Sequence, residues 1–172
     1  MNNIKIICLY GPESTGKSTL AKNLAAIYET EFVPEVSKEI INTNNFTVED
    51  IIHIGQAQTQ RIKEKLSTAN KILICDTDLI TTQIYSQHYL GVVPPILYAL
   101  EREIHFDKYF LLDIDVPWIA DGLRDLGNKR SEMMATFKSA LDCREINYQL
   151  VTGTYSEREE KIVQAIDALL SL

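Results

Sequence analysis

Short apolar runs alternate with longer segments of helical periodicity along the whole chain. Runs such as Ile72 to Cys75 lack the polar alternation of a strand with one face in water, which is typical of a parallel sheet covered on both faces. The pattern therefore predicts an α/β fold with helices between the strands. The five predicted strands are residues 4–10, 32–36, 71–75, 109–114 and 148–151.

Start signals mark three of the predicted helices. Thr47 precedes two acidic residues and predicts a helix to about residue 69, and Thr154 and Glu157 have the spacing of a capping box before the last helix. Pro94 and Pro95 suit the first turn of a helix to about residue 105, because a missing N–H does no harm there. A single domain, residues 1–172, is expected at this length.

Charge and composition narrow the classes of function. The 172 residues include 17 basic and 24 acidic side chains, a net charge of −7. This balance argues against a protein that binds the nucleic-acid backbone, because such proteins use clustered Lys and Arg. No apolar stretch is long enough to span a bilayer or to act as a signal peptide. Cys8, Cys75 and Cys143 are widely spaced and predict neither a disulfide framework nor a zinc site, so a reduced, cytoplasmic protein is expected.

A phosphate-binding loop is the strongest motif in the chain. Residues 11–18, GPESTGKS, fit G-x-x-x-x-G-K-[ST], and they follow a predicted strand and open a helix. Gly11 and Gly16 allow the backbone N–H groups to turn towards an anionic polyphosphate, Lys17 supplies a charge for the β and γ phosphates, and Ser18 offers a hydroxyl to Mg²⁺. ATP and Mg²⁺ are the predicted cofactors, and the fold is that of the three-layer P-loop NTPases. The predicted nucleotide-binding residues are Gly11, Glu13, Ser14, Thr15, Gly16, Lys17, Ser18 and Thr19.

Three carboxylates follow predicted strands and are candidates to bind Mg²⁺, to bind the substrate or to accept its proton. Asp76 ends the third strand at the edge where α/β sheets bind ligands, and it is predicted to act on Mg²⁺ together with Ser18. Asp78 lies two residues further on; it either converges with Asp76 on the substrate or caps the next helix. Glu35 follows the second strand and is a candidate to accept the proton of a substrate hydroxyl.

An irregular segment at about residues 118–131, which we call the lid segment, interrupts the alternation of strands and helices. P-loop kinases often close a basic lid over the nucleotide, and Arg124 and Arg130 are the catalytic candidates here. Trp118 opens the segment and either stacks on a ligand ring or anchors a hinge. Tyr85, on the helix after Asp78, is a candidate substrate contact, although its spacing also suits packing.

Taken together, the segments GPESTGKSTLAKNLA, VPE, ICDTDLITT and VPWIADGLR resemble the nicotinamide riboside kinase domain of the NadR-type regulators of NAD biosynthesis. The resemblance implies transfer of the γ-phosphate of ATP to the ribose 5′-hydroxyl of nicotinamide riboside. It covers nearly the whole chain, so a kinase domain that stands alone is the expectation. Because the nicotinamide ring is cationic, Trp118 and the nearby Asp115 and Asp121 would favour it.

Two positions after the second-strand Glu depart from the family pattern. A Tyr and an Arg tend to follow the second-strand Glu, whereas this chain has Val36 and Lys38 there. Lys does not reproduce a bidentate Arg contact, so a kinase for another nucleoside stays an alternative. A further alternative is a P-loop ATPase or switch protein that uses no small acceptor.

Overall fold

The computed structural model describes residues 4–120 and 123–171. The strands are β1 Lys5–Tyr10, β2 Phe32–Val33, β3 Ile72–Asp76, β4 Lys108–Leu112 and β5 Tyr148–Val151. The helices are α1 Lys17–Ile27, α2 Ser37–Ile40, α3 Val48–Leu66, α4 Leu79–Leu90, α5 Pro95–Glu101, α6 Arg130–Asp142 and α7 Tyr155–Leu170, and a 3-10 turn spans Gly127–Lys129.

The five strands form one parallel sheet in the order β2-β3-β1-β4-β5. This confirms the predicted α/β fold with a five-stranded parallel sheet. The second strand is shorter than predicted, because it ends at Val33. Pro34 follows, and proline has no N–H to donate to a ladder. Glu35 consequently lies in a loop beyond the strand end.

Helices cover both faces of the sheet, as the continuous apolar runs predict. On one face, Leu20 and Leu24 of α1 and Ile162 of α7 pack against Ile7 and Phe110. On the other face, helices α4 and α6 pack against side chains of β1 and β4. The buried residues of this second cluster include Cys8, Tyr10, Ile80, Tyr109, Phe137 and Leu141. The central strand β1 is thus buried on both sides, and the loop that follows it is held on a rigid support.

The predicted capping box at Thr154 is present, and the helix start predicted at Thr47 is also a capping box. Thr47 Oγ1 accepts a hydrogen bond from the Asp50 N–H at 3.2 Å, and Thr154 Oγ1 accepts one from the Glu157 N–H at 3.4 Å. The helix that begins at Pro95 ends at Glu101, earlier than the predicted residue 105. Within the described residues, no helix is long and apolar enough to cross a membrane.

Candidate active site

The loop between β1 and α1 has the backbone of a phosphate cradle. Gly11 has φ of 142°, and a Cβ there would lie 2.9 Å from the carbonyl oxygen of Leu112. Gly16, at the N-terminus of α1, has φ of 88° and leaves the helix N-terminus open. Ser14 has φ of 60° without being glycine. These conformations bring successive backbone N–H groups and the positive end of the helix dipole to one point.

Lys17 lies at the centre of this loop. Its side chain is buried, and Nζ donates hydrogen bonds to the carbonyl oxygens of Gly11 at 2.9 Å and Pro12 at 2.7 Å. Burial lowers the pKa of Lys17, while the carboxylates of Asp76 and Glu35 oppose that shift. The ammonium is therefore fixed inside the loop, in the place where an anionic phosphate would be bound.

Ser18 and Asp76 meet beside the loop. Ser18 Oγ donates to Asp76 Oδ2 at 2.6 Å, whereas the buried Oδ1 of Asp76 accepts no hydrogen bond from any described residue. Burial, and next the negative charge of Glu35, raise the pKa of Asp76. A hydroxyl and a carboxylate with a free lone pair fit Mg²⁺, which binds few protein oxygens and keeps water and phosphate ligands. Within the described chain no cluster of three or more His, Cys, Asp or Glu side chains offers an alternative metal site.

Asp78 faces away from this pair. The backbone of Thr77 has φ of 74°, so the extended conformation that would let the two carboxylates converge does not continue past Asp76. Asp78 caps α4 instead: Oδ1 accepts from the N–H and Oγ1 of Thr81 at 2.9 and 3.0 Å, and Oδ2 accepts from the hydroxyl of Tyr109 at 2.9 Å. Burial raises the pKa of Asp78 to about 6. Of the two hypotheses for this residue, the geometry matches the helix cap.

One cleft connects the phosphate loop to a second compartment, which we call the apolar chamber. All eight predicted nucleotide-binding residues, Glu35, Tyr85 and Arg124 line this cleft. The chamber is formed by α3, α4 and the segment before α3, through Ile41, Phe46, Ile51, Ile54, Gln58, Tyr85 and Tyr89. Its aromatic walls suit a planar ring.

Glu35 lies between the two compartments. It accepts a hydrogen bond from Ser37 Oγ at 2.8 Å, and Lys38 Nζ lies 3.8 Å from its carboxylate. Its side chain is 25% exposed, unlike the buried Asp76 and Asp78. Glu35 is therefore the predicted carboxylate that remains open to a hydroxyl in the cleft.

The lid segment is hydrogen-bonded to the phosphate loop. The Ile119 N–H donates to Ser14 Oγ at 2.8 Å, and the Leu126 N–H donates to Glu13 Oε1 at 3.0 Å. Across the cleft, Asn44 Nδ2 donates to the carbonyl oxygen of Leu123 at 2.9 Å. The lid segment thus lies over the cleft, with one side on the phosphate loop and the other on the chamber wall.

Trp118 and Arg130 lie near the two ends of the lid segment. Neither is among the described residues that line the cleft. The indole of Trp118 packs so closely on Gly127 that a Cβ there would lie 2.8 Å from the ring. The Arg130 guanidinium donates to the carbonyl oxygen of Val116 at 2.6 Å. In this arrangement Trp118 is a packing anchor, as the second hypothesis for it states. Asp121 lies outside the described residues.

Two buried polar side chains were missed in the sequence. Arg158 of α7 is 1% exposed and donates to the carbonyl oxygens of Thr15, Asp113 and Gly153 at 3.1, 2.9 and 2.9 Å. It also pairs with the carboxylate of Asp115. No local pattern marks Arg158, because Thr15, Asp113 and Asp115 lie far from it along the chain. Gln58 interrupts the buried face of α3, which is a signal that sequence reasoning had available.

Comparison with known proteins agrees with this geometry. The trifunctional NAD biosynthesis/regulator protein NadR of Salmonella typhimurium is 35% identical over 133 residues, and that of Escherichia coli is 30% identical over 172 residues. These matches cover 73% and 95% of this chain but only 32% and 42% of the relatives, so the chain spans less than half of their length. The resemblance to NadR is confirmed.

A solved structure of a NadR protein in complex with NR has the same fold. It superposes with a TM-score of 0.85 at 20% identity, over 98% of this chain and 52% of the other. Independently, the sequence pattern of one family of AAA domains matches residues 6–158. The chain therefore belongs to this AAA domain family, with the P-loop nucleotide-binding fold that its phosphate loop and parallel sheet display.

Proposed function

We propose that this protein is an ATP-dependent kinase that phosphorylates nicotinamide riboside to nicotinamide mononucleotide, a step of NAD salvage. The observation that carries the proposal is the single cleft that joins the phosphate loop to the apolar chamber. A kinase needs both compartments, because the γ-phosphate must meet a hydroxyl of a second molecule. A P-loop ATPase without a small acceptor would not need the apolar chamber.

The phosphate side of the cleft supplies charge and positioning. Lys17 and the backbone N–H groups of residues 13–18 would bind the β and γ phosphates of ATP, and Arg124 in the lid segment lines the same cleft. Ser18 and Asp76 would hold Mg²⁺, which supplies further positive charge to the phosphates when it is bound. Because phosphoryl transfer depends mainly on positioning and electrostatic stabilisation, these groups provide most of what the reaction needs.

The acceptor side supplies a proton acceptor and a binding surface. Glu35 lines the cleft and would accept the proton of the attacking 5′-hydroxyl, whereas Asp76 is assigned to Mg²⁺ together with Ser18, and Asp78 caps α4. The nucleoside ring would lie in the apolar chamber against Tyr85. The NadR relatives and the NadR structure with NR support nicotinamide riboside as the acceptor.

The test is ADP release from Mg-ATP by the purified protein with nicotinamide riboside, with a panel of other nucleosides, and without acceptor. We expect stimulation by nicotinamide riboside and a product with the mass of nicotinamide mononucleotide. Lys17→Ala should abolish the transfer, because this change removes a charge used on phosphates. Circular dichroism checks that the variant is folded, since the change also breaks the hydrogen bonds of Nζ to Gly11 and Pro12.

Two results would contradict the proposal. Stimulation by a different nucleoside alone would keep the kinase mechanism and replace the acceptor, which is the alternative raised by Lys38. ATP turnover that no acceptor changes would replace the kinase with an ATPase or switch protein.

A further inference from the structure

Gln58 is a buried amide that uses only one of its two polar atoms. The side chain is 2% exposed, and its Oε1 accepts a hydrogen bond from the N–H of Val36 at 3.2 Å. Its Nε2 is buried and donates no hydrogen bond within the part of the chain that the structure describes. A buried donor without a partner costs about 1–3 kcal/mol, so such a group calls for an explanation.

The orientation of the amide is fixed by Val36. If the amide were flipped, its NH₂ group would face the backbone N–H of Val36, and two donors would oppose each other. The oxygen of Gln58 is therefore held by the backbone, and its NH₂ group is the part left over. A ligand atom that completes this site has to be a hydrogen-bond acceptor.

The surroundings of Gln58 define the part of the ligand that reaches it. Gln58 lines the cleft together with Ile51 and Ile54 of the same helix and with Phe46 and Tyr85 across the chamber. A ribose carries several hydroxyls and needs several polar partners, whereas the four side chains named here are apolar or aromatic. A planar ring with one polar substituent matches a single amide donor among these four side chains.

We propose that Gln58 determines acceptor specificity by donating an Nε2–H hydrogen bond to an acceptor oxygen on the ring of the nucleoside. This inference rests on the proposed function, in which the oxygen is that of the carboxamide of nicotinamide riboside. Gln58 does not touch the reacting atoms, so its effect is on recognition of the ring rather than on the transfer step.

The experiment compares two acceptors in two enzymes. The acceptors are nicotinamide riboside and the same pyridinium riboside without its carboxamide, and the enzymes are the wild type and Gln58→Met. In the wild type, kcat/KM for nicotinamide riboside should exceed that for the shortened acceptor by about tenfold, the size of one buried hydrogen bond. In Gln58→Met the two values should agree within about twofold, because the donor is gone.

Two further variants separate recognition from folding. Gln58→Glu keeps an oxygen for the N–H of Val36 and, at a pH where the new carboxyl is ionised, has no donor, so it should also lose the preference between the two acceptors. Its melting temperature is measured alongside, because a buried carboxylate costs stability. The new carboxylate would attract the cationic ring of both acceptors alike, so this attraction leaves the ratio of their kcat/KM values unchanged. Gln56→Met, at an exposed position on the same helix, should keep the preference and the melting temperature.

The outcomes distinguish this inference from the proposed function. If the wild type phosphorylates nicotinamide riboside and both Gln58 variants keep the tenfold preference, the role of Gln58 is wrong and the function stands. If removal of a ribose hydroxyl, rather than of the carboxamide, abolishes the difference between wild type and variant, Gln58 binds the sugar and the inference is overturned. If the wild type phosphorylates neither pyridinium riboside, the proposed function is wrong, and so is the assignment of the carboxamide oxygen as the partner of Gln58.

Discussion

Arg158 ties the phosphate loop to two other segments of the fold. Its guanidinium is 1% exposed and bonds the carbonyl oxygens of Thr15, Asp113 and Gly153, which belong to the phosphate loop, to the end of β4 and to the turn before α7. Replacement by alanine would break all three bonds. We therefore expect Arg158→Ala to destabilise the whole fold and to loosen the loop.

The size of this effect follows from the partners. Hydrogen bonds from a charged donor contribute about 1.5–3 kcal/mol each, but water entering the vacated space would recover part of three such bonds. The ion pair with Asp115 adds little, because that carboxylate is 37% exposed. A net loss of about 4 kcal/mol is expected, which corresponds to a fall in melting temperature of roughly 8–16 °C for a domain of this size.

The assay is urea unfolding followed by circular dichroism, with two controls. Arg158→Lys keeps the positive charge but lacks the three-way fork of the guanidinium, so it should lose about half as much, roughly 2 kcal/mol. Arg102→Ala, at an exposed position, should stay within about 0.5 kcal/mol of the wild type. In the folded Arg158→Lys variant, the KM for ATP should rise more than the KM for the acceptor. An Arg158→Ala variant within about 1 kcal/mol of the wild type would refute the reasoning.

Three further predictions concern single contacts. Asp76→Asn should shift the Mg²⁺ titration of activity to higher concentration, and an unchanged titration would remove that carboxylate from the metal site. Gly127→Ala should displace Trp118, whose ring lies 2.8 Å from the added Cβ, and should lower the melting temperature; an unchanged value would mean that the lid segment yields without cost. Asp78→Asn removes a carboxyl whose pKa is raised to about 6 in the fold, so the folded wild type binds a proton that the unfolded chain has lost. The wild type should therefore lose about 2 kcal/mol of stability relative to the variant as the pH rises from 4 to 7. Urea unfolding of both proteins across that range measures the difference, which would be constant if the carboxyl were not perturbed.

Most of the fold was readable in the sequence, because its signals are local. Strands buried on both faces leave apolar runs that need no knowledge of their neighbours, and the capping boxes at Thr47 and Thr154 mark helix starts within four residues. The error at β2 is equally local: Pro34 breaks the ladder, and the apolar pattern around it does not reveal this. The order of the strands was not predicted, since it depends on how the helices cross the sheet.

The candidate site likewise has one part that local sequence predicts and one part that it does not. The phosphate loop is contiguous, so the spacing of its glycines and of Lys17 predicts its residues directly. The apolar chamber is assembled from α3, α4 and the loop before α3, and no single segment contains its pattern. Trp118 was open to two hypotheses because an indole packs equally well on a ligand ring or on a glycine, and only the position of Gly127 distinguishes them.

The hydrogen bonds of the lid segment connect the two compartments of the cleft physically. Ser14 and Glu13 belong to the phosphate loop, and they also hold the N–H groups of Ile119 and Leu126 in the lid segment. The far side of the segment is held by Asn44, next to the chamber. A change in the conformation of the phosphate loop therefore alters the anchors of the lid segment, and through it the cover of the apolar chamber. For the kinase that we propose, we expect the cover over the acceptor to depend on the loop that binds the nucleotide, which would limit transfer of the phosphate to water.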